Sequence, residues 1–370
     1  MNVPFVDLKA QYLTIKDEID RSIQDVLNES SFVGGKRVAA FETALSQLYG
    51  SRHSIGVGNG TDAIFIALKM LGIGPGDEVI TSAISWISTS ETITLAGAKP
   101  VFADIHPDYF TLDPDAVVSK ITPRTRAIIP VHLYGQAAHV GMITELCRQH
   151  RLSLIEDCAQ AHLTEENNRK VGLFGDAGTL SFYPGKNLGA YGDAGAIITN
   201  NDDLSVKMRM FANHGALKKH EHEMEGLNSR LDALQASILA VKIRYLERWT
   251  NLRIAHAAQY SSLLQGVGDI QIPLVRSGTK HTFHLYVIRT KKRDALMKYL
   301  GEKGIQVSVH YPTALPNLPA YAYLGHTPAD FPVASQYQQE ILSLPMYPEL
   351  SGESIVYVCD NIKQFFAKNG

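Results

Sequence analysis

Residues 180–195 read LSFYPGKNLGAYGDAG: an apolar, aromatic run from Leu180 to Tyr183, a single charged amine at Lys186, then a string of glycines. The first part has the composition of a buried strand and the second part that of a bending loop. A lysine in a glycine-rich loop is ordinarily a solvated surface charge. At the end of a buried strand it stands instead at the mouth of a sheet, where loss of water lowers the ammonium pKa from about 10.4 and makes a nucleophilic amine accessible near neutral pH. What the neighbouring strands end on decides between the two.

Working outward, short β-rich runs recur from about residue 50 to 200: HSIGVG, EVITS, PVFADI, TRAIIPVHLYG, LSLIED, GTLSFYP and AGAIITN. They make about seven strands. Most are continuously apolar, as strands buried on both faces of a parallel sheet must be. Between them lie segments of helical spacing, such as TDAIFIALKML, where Ile64, Ala67, Leu68 and Leu71 form one stripe. Alternation of this kind predicts an α/β architecture with right-handed crossovers, the last two strands being the expected antiparallel exception.

Beyond residue 200 the texture changes. The polar stretch LKKHEHEMEG (217–226) reads as mobile or ligand-dependent, and a helical run extends from about Ser229 to Leu264. HTFHLYVIRT, RDALMKYLGEKG, IQVSVHY and the terminal DNIKQFFAKNG then read as a small α+β domain. The boundary falls near residue 250, giving a large domain over 1–250 with an N-terminal arm and a small domain over 251–370.

Composition excludes several classes. With 35 Lys and Arg against 37 Asp and Glu, the formal charge of −2 leaves no electrostatic footprint for nucleic acid or an anionic membrane. Cys147, Cys158 and Cys359 form no C-x-x-C pair and no even set, so neither a disulfide framework nor a zinc site is indicated. No apolar run has membrane-spanning length and the N-terminus lacks a signal-like core. The expectation is a cytoplasmic protein.

Two further sites join the lysine. Gly58-Asn59-Gly60-Thr61-Asp62 follows a predicted strand and opens a predicted helix, a place where free N–H groups favour a phosphate; an ordinary capped turn would use the same residues. Neither the dinucleotide fingerprint nor a Walker A loop fits: Ala63 replaces the last glycine of the first, and Leu180 and Asn187 break the second. Glu156-Asp157 ends the strand LSLI at the edge where ligands gather in open α/β sheets, although a carboxylate there also serves to cap a helix.

Phosphate cradle, carboxylate and amine together are what pyridoxal phosphate requires: a lysine to bond its aldehyde, an acid to keep its ring nitrogen protonated, and an anion site. Trp86 is a candidate to cover the ring, with core packing as the competing reading.

GNGTDA, IEDCAQAH, SFYPGKNLGAYGDAGA and GLNSRLDALQA, in this order, resemble the DegT/DnrJ/EryC1/StrS sugar aminotransferases from PFVDLKAQY to LPMYPEL. The resemblance implies fold type I of the pyridoxal phosphate enzymes (aspartate aminotransferase-like), a homodimer with its active site at the interface, and amino transfer from L-glutamate to a nucleotide-linked keto sugar. By position, Lys186 is the cofactor-linked lysine and Asp157 the ring-nitrogen partner. Gln160 is implied at the ring oxygen, Trp86 on the ring face, and Gly60, Thr61 and Ser181 at the phosphate. Asn228 is implied to reach the phosphate from the partner subunit. Tyr183, His310 and Tyr311 resemble the residues facing the sugar, and Arg230 is a candidate cation for the substrates or an interface residue. YPGKNLGA resembles the branch acting at C3 of dTDP-3-keto-6-deoxyhexoses, which implies a dTDP-3-amino-3,6-dideoxyhexose product, galacto before gluco, for O-antigen or another glycan; the C4 branch is the alternative, and a non-catalytic sensor on the same scaffold is the rival from another class. Leu163 and Ala194 depart from the glycines usual at their positions.

Overall fold

The computed structural model describes residues 1–369. All seven expected strands form one sheet: β1 (His53–Val57), β2 (Glu78–Ser82), β3 (Lys99–Ala103), β4 (Thr125–Ile129), β5 (Ser153–Asp157), β8 (Ala177–Ser181) and β9 (Gly195–Thr199), in the order β1-β9-β8-β5-β4-β2-β3. The short strands β6 (Glu165–Glu166) and β7 (Arg169–Lys170) belong to a separate small sheet with β10 (Thr279–Lys280). Within the main sheet antiparallel pairing is confined to β9, which opposes both β1 and β8; every other pair there is parallel. Every residue of β2 and β9 is buried, which explains why their sequences are unbroken instead of alternating.

Helices cover both faces. Ile64, Ala67 and Leu68 of the helix Gly60–Met70 pack with Ile55, Val79 and Ile155 on one side, while Phe41, Leu45, Leu180, Phe182 and Leu239 form the core of the other. Complete burial of a side chain such as Phe41 or Leu180 contributes roughly 1.5–3 kcal/mol each. The helical run expected from Ser229 to Leu264 is interrupted: Ala233–Lys242 and Leu246–Leu264 are joined by a 3-10 turn at Ile243–Tyr245. The stretch 217–226 forms turns closed by a bridge between Lys218 and Glu221.

The C-terminal part centres on the antiparallel pair β11 (Tyr286–Arg289) and β12 (Ile341–Leu344), packed against Leu296, Leu300, Val358 and Ile362. Tyr260 of the long helix stacks on Tyr286 with ring centroids 4.9 Å apart. The N-terminal arm adds to this region, since Val3 bridges Ile305 in parallel. A further apolar cluster joins Ala83, Phe102 and Tyr134 to Leu285, Leu315 and Phe331, clamping the C-terminal part over the carboxyl ends of β2, β3 and β4. No described helix is long and apolar enough to cross a membrane.

Candidate active site

A cleft of about 570 Å³ opens at the carboxyl ends of β2, β4, β5 and β8, between the sheet and the C-terminal part. Strand β5 delivers Asp157 to its floor. Asp157 is 4% exposed; its Oδ2 accepts from Thr89 Oγ1 at 2.8 Å and its Oδ1 from the Ala159 N–H at 3.1 Å. Thr89 Oγ1 also contacts Ser85 Oγ at 2.8 Å, so a chain of hydroxyls fixes the carboxylate from one side. The adjacent Glu156 lies outside the cleft. Its oxygens accept from the N–H groups of Gly172, Phe174 and Gly175 at 2.6–2.9 Å, and it meets His132 Nε2 at 3.1 Å. Those bonds give Glu156 a structural task.

Lys186 enters from the loop after β8. Phe182, Leu188 and Ala190 are fully buried and pin the loop at both ends, with Lys186 N bonded to Tyr183 O at 2.8 Å and Ala190 N to Phe182 O at 2.7 Å. A Cβ on Gly189 would lie 2.3 Å from Pro184 O, so this turn tolerates no side chain there. The lysine consequently lines the cleft, enclosed by protein except where the cleft opens. Desolvation lowers its pKa to about 8, against the opposing pull of Asp157. A second lysine has its pKa lowered to about 8 by burial, Lys242, but its Nζ donates to Gly189 O at 2.7 Å and it lines no part of the cleft.

The turn after β1 supplies the anion site. Asn59 caps the helix Gly60–Met70 by accepting from the Asp62 N–H at 2.8 Å, leaving the N–H groups of Gly60 and Thr61 as first-turn donors without intrahelical acceptors. Asp62 is occupied, receiving Ser229 Oγ at 2.7 Å and Asn59 Nδ2 at 3.1 Å. Ser181 closes the cradle, so near that a Cβ on Gly60 would sit 2.7 Å from its Cβ. Thr61 Oγ1 reaches Ser88 Oγ at 2.8 Å, and all of Asn59, Gly60, Thr61, Ser88 and Ser181 line the cleft.

Residues 13–363 match the DegT/DnrJ/EryC1/StrS aminotransferase family. The chain belongs to that family. It is 47% identical to a Geobacillus stearothermophilus protein named pleiotropic regulatory protein, over 99% of both chains. It is 39% identical to the dTDP-3-amino-3,4,6-trideoxy-alpha-D-glucose transaminase of Streptomyces venezuelae, covering 98% of this chain and 96% of that one. Identity is 40% to a UDP-N-acetyl-3-dehydro-alpha-D-glucosamine 3-aminotransferase of Acidithiobacillus ferrooxidans, over 98% and 97%. Among solved structures, S. venezuelae DesV, determined in complex with a ketimine intermediate, superposes with a TM-score of 0.97 at 39% identity over 99% and 98% of the chains. NtdA from Bacillus subtilis, determined with the cofactor PMP, gives 0.90 at 32% identity over 99% and 85%.

The remaining residues of this aminotransferase complete the cleft. Gln160 spans it, its Oε1 accepting from the Tyr134 N–H at 2.8 Å and its Nε2 donating to Tyr311 Oη at 2.9 Å. Trp86, 58% exposed, meets the Tyr311 ring at 5.7 Å, so it is a cleft wall and not core packing. His310 stacks on Phe5 of the N-terminal arm at 5.5 Å and bonds Ser343 through Nδ1 at 2.9 Å; burial, reinforced by Lys186, pushes its pKa down to about 4. Tyr183 stands 60% exposed at the entrance. Asn228 and Arg230 do not line this cleft: both are exposed, and Arg230 bonds Asn213 at 3.3 Å. The donor set fits pyridoxal phosphate, since an amine, a buried carboxylate held by neutral donors, and a serine-threonine-amide cradle face one cavity bordered by an aromatic wall.

Sequence reasoning missed Thr89, Tyr134, His284 and Phe5. Thr89 lies in STSETITL, whose hydroxyl residues carry no distinctive spacing, and Phe5 meets its partner Gln306 across 301 residues.

Proposed function

We propose that the protein transfers an amino group from L-glutamate to C3 of a dTDP-linked 3-keto-6-deoxyhexose, in galacto or gluco configuration. One observation carries this reading: Lys186, an amine with its pKa lowered to about 8, shares a single cleft with Asp157 and an anion nest. Pyridoxal phosphate, when bound, supplies an aldehyde and an electron-withdrawing ring that holds the charge left when a proton leaves the neighbouring carbon. Asp157, fixed by Thr89 and Ala159, would keep the proton on the ring nitrogen. Gly60, Thr61 and Ser181 would hold the phosphate, Trp86 would border the ring, and Gln160 would bind its polar edge.

Lys186 is the proton carrier. A pKa near 8 leaves a useful share of neutral amine at pH 7–8, so Nζ takes the proton from the glutamate α carbon and returns one to the sugar carbon that becomes aminated. Tyr183, His310 and Tyr311 border the sugar. The cleft is lined by no arginine of its own chain, whereas glutamate and a nucleoside diphosphate both bring negative charge. That mismatch supports a homodimer in which Arg230 and Asn228 of a second copy complete the site. We read residues 1–250 as the cofactor-binding domain, 251–370 as the smaller one, and the cytoplasm as the location.

Support for C3 comes from the relatives named for 3-amino products on dTDP and UDP carriers. The regulatory name of the Geobacillus relative favours a noncatalytic sensor as the second reading; a desolvated lysine that shares one cleft with Asp157 and the anion cradle favours turnover. Incubating the holoenzyme with glutamate and dTDP- or UDP-linked 3-keto and 4-keto sugars, with product mass as the readout, tests the assignment. An aminated 4-keto sugar and an untouched 3-keto sugar would refute the C3 reading.

A further inference from the structure

His284 is the one cleft-lining imidazole whose tautomer the surroundings fix. Asn187, next to Lys186 in the loop, presents its Nδ2 to the Thr282 carbonyl at 3.5 Å and its Oδ1 to His284 Nδ1 at 3.1 Å. A carbonyl accepts only, which orients the amide, and an amide oxygen accepts only, which puts the ring proton on Nδ1. Nε2 is left as a bare lone pair. It has no protein partner and is not sealed from solvent, and His284 lines the cleft. Two of the other acceptors there are committed: Asp157 to Thr89 and Ala159, and Gln160 Oε1 to Tyr134.

We infer that His284 Nε2 accepts a hydrogen bond from a hydroxyl of the acceptor sugar, with Asn187 as the residue that positions it. The inference rests on the proposed transfer to a nucleotide-linked keto sugar. Of the two substrates, the sugar is the one this group suits. Glutamate offers carboxylates, which repel a lone pair, and an amine consumed in the reaction; a hexose offers hydroxyl donors beside its carbonyl. Burial together with Lys186 and Arg253 keeps the ring from protonating, so it stays an acceptor at working pH. Asn187 is 4% exposed and belongs to the same turn as Lys186, which ties sugar orientation to the proton-carrying amine.

The test separates the two half-reactions on holoenzyme by following cofactor absorbance. His284→Phe should slow reaction of the amino-loaded enzyme with keto sugar by about tenfold or more, the effect of a lost hydrogen bond that strands a buried donor, while the glutamate half-reaction changes by less than about threefold. Asn187→Leu, which removes the acceptor for Nδ1–H, should reproduce that split. Equal losses in both half-reactions for every variant would overturn the inference. Independently of any variant, the ¹⁵N shifts of wild-type His284 should report a protonated Nδ1 and a bare Nε2; a protonated Nε2 overturns it. Wild-type enzyme that reacts with glutamate but aminates no nucleotide-linked keto sugar would instead sink the underlying function, an outcome distinct from either.

Discussion

Glu156 and Asp157 are neighbours on β5, yet only Asp157 reaches the cleft; Glu156 is consumed by three backbone N–H groups and His132 on the other side of the strand. Alternation along a strand separates the roles of two adjacent carboxylates. Thr89→Val tests the Asp157 side: removing the hydroxyl that donates to Oδ2 should lower turnover about five- to tenfold, equivalent to roughly 1–1.5 kcal/mol. Unchanged turnover and unchanged absorbance of bound cofactor would mean Thr89 does not tune the acid.

Lys186→Ala should remove amino transfer altogether and abolish the absorbance of lysine-bound cofactor, the general-base contribution alone being on the order of 10²–10⁴. A variant that retained wild-type turnover would transfer the proton role to another group.

Gly60→Ala places a methyl 2.7 Å from Ser181 Cβ, in the cradle read here as the phosphate site. Overpacking of this kind costs roughly 1–3 kcal/mol, so cofactor affinity by equilibrium dialysis should fall about tenfold or more. Wild-type affinity would show that the phosphate lies elsewhere.

Stability should decline on acidification below about pH 6.5. Burial lowers His162 and His281 to about 3, and His281 Nδ1 accepts from the Phe283 N–H at 3.0 Å, a bond available only to the unprotonated nitrogen. Between pH 6.5 and 3 the unfolded chain therefore binds protons that the folded chain refuses, and each such histidine withdraws about 1.4 kcal/mol per pH unit. Urea midpoints of the apo protein at pH 7 and 5 measure this directly; a midpoint that rises on acidification would contradict it.

The sheet was legible because burial on both faces leaves continuous apolar strands, and EVITS and GAIITN need no partner in view to be recognised. Lys186, Asp157, Gly60 and Thr61 were legible because each sits at or just beyond a strand end, where ligands gather in open α/β sheets, whereas Ser181 entered only through the family resemblance. Thr89, Tyr134 and His284 were not, since each matters through a bond to a residue far along the chain: Asp157, Gln160 and Asn187 respectively. The break at Ile243–Tyr245 was missed for a different reason: neither glycine nor proline marks it, and the apolar spacing runs through unaltered.

Two lysines share a lowered pKa and differ in place: Lys186 faces the cleft, while Lys242 is spent on Gly189 O beneath the Tyr191 ring. Borohydride reduction of the protein loaded with pyridoxal phosphate, followed by peptide mass mapping, reads which amine holds the aldehyde. The account predicts the added mass on the peptide containing Lys186 alone; label on Lys242, or on no lysine, would contradict it.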